Sequence, residues 1–256
     1  MPPLLEVRGL TKYFGGVAAV RGVDFRVHEG QIKALIGPNG AGKTTIFNMI
    51  AGAVIPTRGR VFFQGQPLPV GRPHVAAARG IARTFQLVRL FETMSVLENV
   101  LVGCHLRGRA GWLASALRTA GMRAEEARLR ERALGILERL GLTARAHMPA
   151  GALPYGAQRL VELGRALGME PRLLLLDEPG AGLDPAEKAR LGALIRAIRD
   201  GGTTVLLVDH HMEFVLDLSD EVLVLSYGEK LAEGPPARVR AEPAVIDAYL
   251  GEDGGC

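Results

Sequence analysis

The chain has 256 residues, 48% hydrophobic and 23% charged, a balance that suits a globular protein able to bury a core. Its net charge of +4 comes mostly from arginines scattered along helical stretches such as residues 123–139, without the dense basic stripe that nucleic-acid binding requires. No stretch approaches the roughly 18 consecutive apolar residues of a membrane span, and the N-terminus lacks a basic segment followed by an apolar run. The expectation is therefore a cytosolic protein, or one bound to something in the membrane.

Short strand-like runs at residues 5–8 and 23–27, separated by turns at Gly15-Gly16 and Glu29-Gly30, predict a small mixed sheet. Residues 32–36 form an apolar strand, 37–42 a glycine-rich loop and 43–51 a helix, the first unit of a parallel sheet. From Ser95 to about Gly168 the pattern is helical, with segments at 96–102, 123–140 and 157–167, which reads as a helical insertion into an α/β core. Continuous apolar runs at 173–176 and 204–208 flank a helix at 186–199 and have the look of strands buried on both faces. A strand at 221–225, a turn at Tyr227-Gly228 and a helix at 243–250 follow. The expected division is a β subdomain and loop-bearing core over about 1–94, the insertion over 95–168, resumed core over 169–235, a C-terminal helix over 236–250 and a flexible tail over 251–256. Cys104 and Cys256 lack metal-ligand spacing and read as incidental thiols in a reducing compartment.

Two motifs carry chemistry. Gly37-Pro38-Asn39-Gly40-Ala41-Gly42-Lys43-Thr44 fits G-x-x-x-x-G-K-[ST] at every fixed position, between the required strand and helix. Glycines let successive backbone amides face phosphate oxygens, and the helix presents its positive end to the same anion. The expected ligand is Mg-ATP, with Lys43 on the β- and γ-phosphates, the Thr44 hydroxyl on Mg²⁺ and Thr45 adding a phosphate contact. The second motif is the apolar run that ends in Asp177-Glu178, since ligands of open α/β sheets bind at the carboxyl ends of strands. Asp177 is suited to hold Mg²⁺ through its water shell, and Glu178 to accept a proton from water attacking the γ-phosphate.

Further elements follow in order: Arg83-Thr84-Phe85-Gln86, Leu153-Pro154-Tyr155-Gly156-Ala157-Gln158, Ala181-Gly182-Leu183-Asp184, and His210 after the strand at 204–208. With the phosphate loop, they make the chain resemble the nucleotide-binding subunit of an ABC transporter from about Leu4 to Leu250. Phe14-Gly15-Gly16, Arg89-Leu90-Phe91 and the ending Ala248-Tyr249-Leu250-Gly251 resemble the ATP-binding subunits of branched-chain amino-acid uptake systems. The fold implied is a P-loop NTPase core with an N-terminal mixed β subdomain and an inserted helical subdomain. The resemblance implies that Phe14 stacks on adenine, with Tyr13 the close competitor. It implies that Gln86 senses Mg²⁺ or the attacking water, and that His210 contacts the γ-phosphate while His211 is a solvated first-turn residue. It places Asp184 at the interface of two ATPase subunits. It further implies a homo- or heterodimer, integral membrane permease subunits, an extracytoplasmic solute-binding protein and a peripheral location on the cytoplasmic membrane face, with no nucleic acid. Alternatives are a soluble ABC-type ATPase acting on DNA or the ribosome, and a regulatory nucleotide-binding module.

One segment departs from the family pattern. The signature commonly reads Leu-Ser-Gly-Gly-Gln, and here Leu153, Pro154, Tyr155, Gly156 and Ala157 stand in its place. The serine hydroxyl is absent, and the resemblance implies the loss of a charge-assisted hydrogen bond, worth roughly 1.5–3 kcal/mol, that the family's serine makes to ATP on the opposite subunit. Pro154 is compatible with the first helical turn, where no amide partner is needed.

Overall fold

The computed structural model describes residues 2–85, 88–105 and 120–253. Its chain divides into two compact units, Met1–Arg83 with Arg172–Cys256, and Thr84–Pro171.

The first unit holds two sheets. Strands β1 (Leu5–Phe14), β2 (Val17–Val27), β4 (Arg58–Phe63) and β5 (Gln66–Pro67) form a four-stranded sheet in the order β2-β1-β4-β5. A mixed sheet was the expectation, yet every described pairing here is antiparallel. The reason is local: Gly15-Gly16 joins β1 to β2 as a two-residue hairpin with Gly15 at φ 57°, and so short a link permits only antiparallel pairing. Both strands run well beyond the predicted 5–8 and 23–27, because cross-strand bonding carries them through polar, bulged stretches.

The second sheet has the order β10-β9-β3-β8-β7-β6 among the described residues. Its strands are β3 (Ile32–Ile36), β6 (Ile81–Arg83), β7 (Leu173–Asp177), β8 (Thr204–Val208), β9 (Glu221–Ser226) and β10 (Glu229–Gly234). All pairs are parallel except β9 with β10, where the Tyr227-Gly228 turn closes a hairpin. Every residue of β3, β7 and β8 is buried, as strands covered on both faces must be. Around the sheets lie α1 (Lys43–Ile50), α2 (Pro73–Ala78), and, after the helical unit, α6 (Pro185–Asp200), α7 (Met212–Leu218), α8 (Pro236–Arg240) and α9 (Pro243–Asp253). Helix α9 continues to Asp253, through the first residues of the tail expected from 251. Residues 254–256 lie outside the described ones.

The second unit is helical: α3 (Val96–His105), α4 (Ala120–Arg139) and α5 (Tyr155–Gly168). Helices α3 and α5 meet through glycine. A Cβ on Gly103 would lie 1.9 Å from the Arg165 carbonyl oxygen, and one on Gly168 would lie 2.9 Å from the Cys104 nitrogen. Cys104 is itself buried at this contact, and burial pushes its thiol up, so it is an inert core thiol. The buried Asn99 clamps the preceding loop to α3, accepting from the Phe91 amide (3.0 Å) and donating to the Phe91 and Ser95 carbonyls (3.0 Å each).

Candidate active site

The parallel strands of the first unit bring three loops to one sheet edge. Strand β8 lies between β3 and β7, with Val208 in register with Leu35 on one side and Asp177 on the other. The glycine-rich loop after β3, the acids at the end of β7 and the histidines after β8 therefore emerge together, at the carboxyl ends where open α/β sheets bind ligands.

The loop after β3 is shaped by backbone rather than side chains. Gly37, Gly40 and Gly42 have φ of 149°, 77° and 98°, and a Cβ on Gly42 would lie 2.4 Å from the Ala19 carbonyl oxygen. A Cβ on Gly37 would lie 2.2 Å from that of Leu225, so neither position accepts another residue. Gly42 is the N-cap of α1 and supplies no side-chain cap, which leaves the helix's first amides to a ligand or water. Lys43 is nearly buried, and its Nζ donates to the carbonyls of Gly37 (2.6 Å) and Pro38 (2.7 Å), so the ammonium closes over the loop. Asn39, Gly40 and Thr44 are exposed, Pro38 and Thr45 half-buried, and Ala41 buried.

Asp177 ends β7 almost fully buried, and its Oδ2 accepts from Arg83 Nη2 at 2.8 Å. The same guanidinium donates to Asn48 Oδ1 at 2.5 Å. Neither Arg83 nor Asn48 was identified from the sequence as a partner of the acids. The available signal was Arg83 itself, a cation closing the short apolar run Ile81-Ala82. Glu178 has φ 48°, a conformation that non-glycine residues seldom adopt and that clusters at functional sites. Its amide donates to the Val208 carbonyl at 2.7 Å, and His210 Nδ1 lies 3.8 Å from its Oε2.

His211 is not the solvated first-turn residue expected. It is the N-cap of α7, and its Nδ1 lies 2.7 Å from Oδ1 of the fully buried Asp209. Asp209 captures it there, while His210 Nδ1 lies 3.8 Å from Glu178 Oε2 and 3.9 Å from Asp209 Oδ1.

The remaining candidates are spread over the two units. Phe14 and Tyr13 end β1, both about half exposed, and Lys12 Nζ sits 4.9 Å from the Phe14 ring centroid. Asp184 caps α6 in a reciprocal box: its Oδ1 accepts from the Glu187 amide (2.8 Å) while its own amide donates to Glu187 Oε2 (3.1 Å), with Pro185 as the first helical residue. In the helical unit, Leu153 is buried, Pro154 is the N-cap of α5, Tyr155 is exposed and Ala157 is buried. Pro154 gives that helix end no side-chain cap, and the Tyr155 hydroxyl is held by Arg159 Nη2 at 2.8 Å. Gly156 is half-buried in the first turn. Gln86 lies outside the described residues.

The model of the ABC transporter family matches residues 20–181. The chain belongs to the ABC transporter family, as an ATP-binding cassette ATPase. A second model, the branched-chain amino acid ATP-binding cassette transporter, matches residues 229–255. Among curated relatives, the high-affinity branched-chain amino acid transport ATP-binding protein BraF of Pseudomonas aeruginosa is 45% identical, over 98% of either chain. LivG of Escherichia coli, with the same descriptive name, is 44% identical over 98% of each. Among solved structures, the ADP conformation of an ATP-binding cassette of an ABC transporter matches with TM-score 0.84 and 32% identity, covering 98% of this chain and all of that one. A dimeric post-hydrolysis cassette bound to ADP and Pi matches with TM-score 0.76 and 25% identity, covering 91% of this cassette and 98% of that one.

Proposed function

We propose that this cassette powers an importer of branched-chain amino acids, as a peripheral subunit on the cytoplasmic membrane face beside integral permease subunits and served by an extracytoplasmic binding protein. The support for the solute is the C-terminal match and the two relatives named for that transport. For the chemistry, the observation that carries the reading is the convergence of three parallel strands on one edge, with His210 Nδ1 3.8 Å from Glu178 Oε2 beside the phosphate loop.

In this reading Lys43 leaves the Gly37 and Pro38 carbonyls for the β- and γ-phosphates, and the loop amides cradle the same oxygens. Thr44 and Asp177 offer the hard oxygen donors that suit Mg²⁺, with Asp177 released from Arg83 or sharing it. When bound, the ion neutralises charge on the phosphate oxygens. Glu178 accepts the proton of the attacking water, His210 orients the γ-phosphate and Phe14 or Tyr13 stacks on adenine. Gln86 relays the state of the site to the permease.

The uncapped end of α5, with Pro154, Tyr155, Gly156 and Ala157, meets ATP on a second ATPase subunit, with Asp184 at the shared interface. That a similar cassette is dimeric with ADP and Pi bound supports the pairing of two such subunits. Because Pro154 supplies no hydroxyl, we read this chain as one half of a heterodimer whose other signature is stronger. Equal ATPase activity per site, measured alone and mixed with a partner ATPase subunit, would argue against that pairing.

The deciding experiment reconstitutes the cassette with its genomically neighbouring permease chains and binding protein in vesicles. ATP-driven accumulation of leucine, isoleucine and valine, abolished by Lys43→Ala, is the expected result. Accumulation of an unrelated solute instead would overturn the substrate assignment.

A further inference from the structure

Asp209 belongs to none of the motifs above, yet it is fully buried and bonded to the near neighbours of the two groups proposed to act on the γ-phosphate. Its Oδ2 accepts from the Gly180 amide at 3.0 Å. Its Oδ1 accepts from the His211 amide at 3.0 Å and lies 2.7 Å from His211 Nδ1. Gly180 is two residues beyond Glu178, and His211 is one residue beyond His210.

The loop after β7 is thus fastened to the end of β8 on both sides of Glu178. On one side the Glu178 amide donates to the Val208 carbonyl at 2.7 Å, and on the other the Gly180 amide donates to Asp209. The approach is close: a Cβ on Gly180 would lie 3.1 Å from Asp209 Oδ2. Glu178 is held between these anchors at φ 48°, a conformation that persists only where the surroundings enforce it. His210 is bracketed in the same way, by Asp209 before it and the pinned His211 after it, with the two imidazole centroids 4.0 Å apart. One carboxylate therefore reaches the neighbours of both groups.

We infer that Asp209 is a positioning residue for ATP hydrolysis, with His211 as its second anchor, and that together they set the separation of Glu178 and His210. The described side-chain bonds of Asp209 fall on Gly180 and His211, next to those two groups, and not on distant core elements. The inference rests on the proposed roles of Glu178 and His210.

The test is a double-mutant cycle on the full chain, scored by ATP turnover, ATP binding and thermal midpoint. Asp209→Asn keeps the side-chain volume but loses one acceptor. Displacing a reacting group by an ångström costs about a hundredfold, so kcat is expected to fall about ten- to hundredfold. Because the nucleotide cradle is untouched, KM and ATP affinity should stay within about twofold. In the Glu178→Gln background the same change should cost clearly less than in the wild type, because one of the two groups it positions is already gone. Wild-type kcat in Asp209→Asn, or a full multiplicative loss on top of Glu178→Gln, overturns the inference. Wild-type hydrolysis in Glu178→Gln alone removes the functional reading and the inference with it, a separate result. Should Asp209→Asn fail to fold, the cycle is run on His211→Ala. There a fall in kcat at constant KM, partly restored by the amide donor of His211→Asn, is expected, and no fall overturns it.

Discussion

The two units handle a buried charge in opposite ways. In the sheet-bearing unit the ammonium of Lys33, on the buried strand β3, is met by Glu221 at 2.9 Å, by Glu233 and by the Arg26 carbonyl at 2.8 Å. The parallel register sets Glu221 beside Lys33, and β10 brings Glu233. Burial pushes the Glu233 carboxyl up, but hydrogen bonds from Lys230 and Lys33 bring it below the usual carboxylate range. In the helical unit the buried Glu162 of α5 takes the Phe85 amide at 3.3 Å, and burial outweighs that bond and the nearby arginines, so its carboxyl is raised. Cross-strand pairing can deliver a full opposite charge to a buried position, whereas the loop beside α5 delivers a backbone dipole.

The largest expected effect falls in the sheet unit. Glu178→Gln is expected to bind ATP normally while turnover falls by about a hundred- to ten-thousandfold, measured by phosphate release. Undiminished hydrolysis would move the proton acceptor elsewhere. Next in size is the ion cluster: Lys33→Ala removes the buried ammonium, leaving Glu233 with Lys230 and Glu221 with Gln31, and should cost about 1.5–3 kcal/mol in urea unfolding. A loss near zero would mean that water reaches the cluster and the contrast with Glu162 is spurious. Within the helical unit, Gly103→Ala must push α3 off the Arg165 carbonyl, an overpacking cost of about 1–3 kcal/mol. A midpoint unchanged from wild type would show that the two helices can separate freely.

The smallest effect tests the contrast by pH. Glu233 has a depressed folded pKa, so its contribution is present above the ordinary carboxylate value of 4.5 and is lost as pH falls through that value toward the folded one. Glu162 has a raised folded pKa, so its stabilising contribution is present below 4.5 and is lost as pH rises from there through the folded value. In unfolding measured from pH 3 to 7, Glu233→Gln should reduce the loss of stability on acidification. Glu162→Gln should remove a loss on alkalinisation, leaving the protein equally or more stable at pH 7. Parallel shifts in the two variants would erase the distinction.

The order of parts was legible in the residues alone. The strands at 32–36 and 204–208 stand where the apolar runs put them, because a strand covered on both faces must be continuously apolar. The phosphate loop was equally plain, since Gly37 and Gly42 answer to backbone conformation and close approach, which spacing reveals. Family resemblance supplied the cassette and its relatives. Only the tertiary structure revealed partners joined across long sequence separations. Strand β4, with alternating arginines, owes its place to pairing with β1, and β10 owes its place to β9. Lys33 stands within the apolar run at 32–36, and its partner Glu221 is set beside it by register. Arg83 on Asp177, and Asp209 on Gly180, lie beyond any local pattern. Backbone conformation and burial leave a periodic trace in sequence, whereas the identity of a charge's partner is decided when strands choose their neighbours.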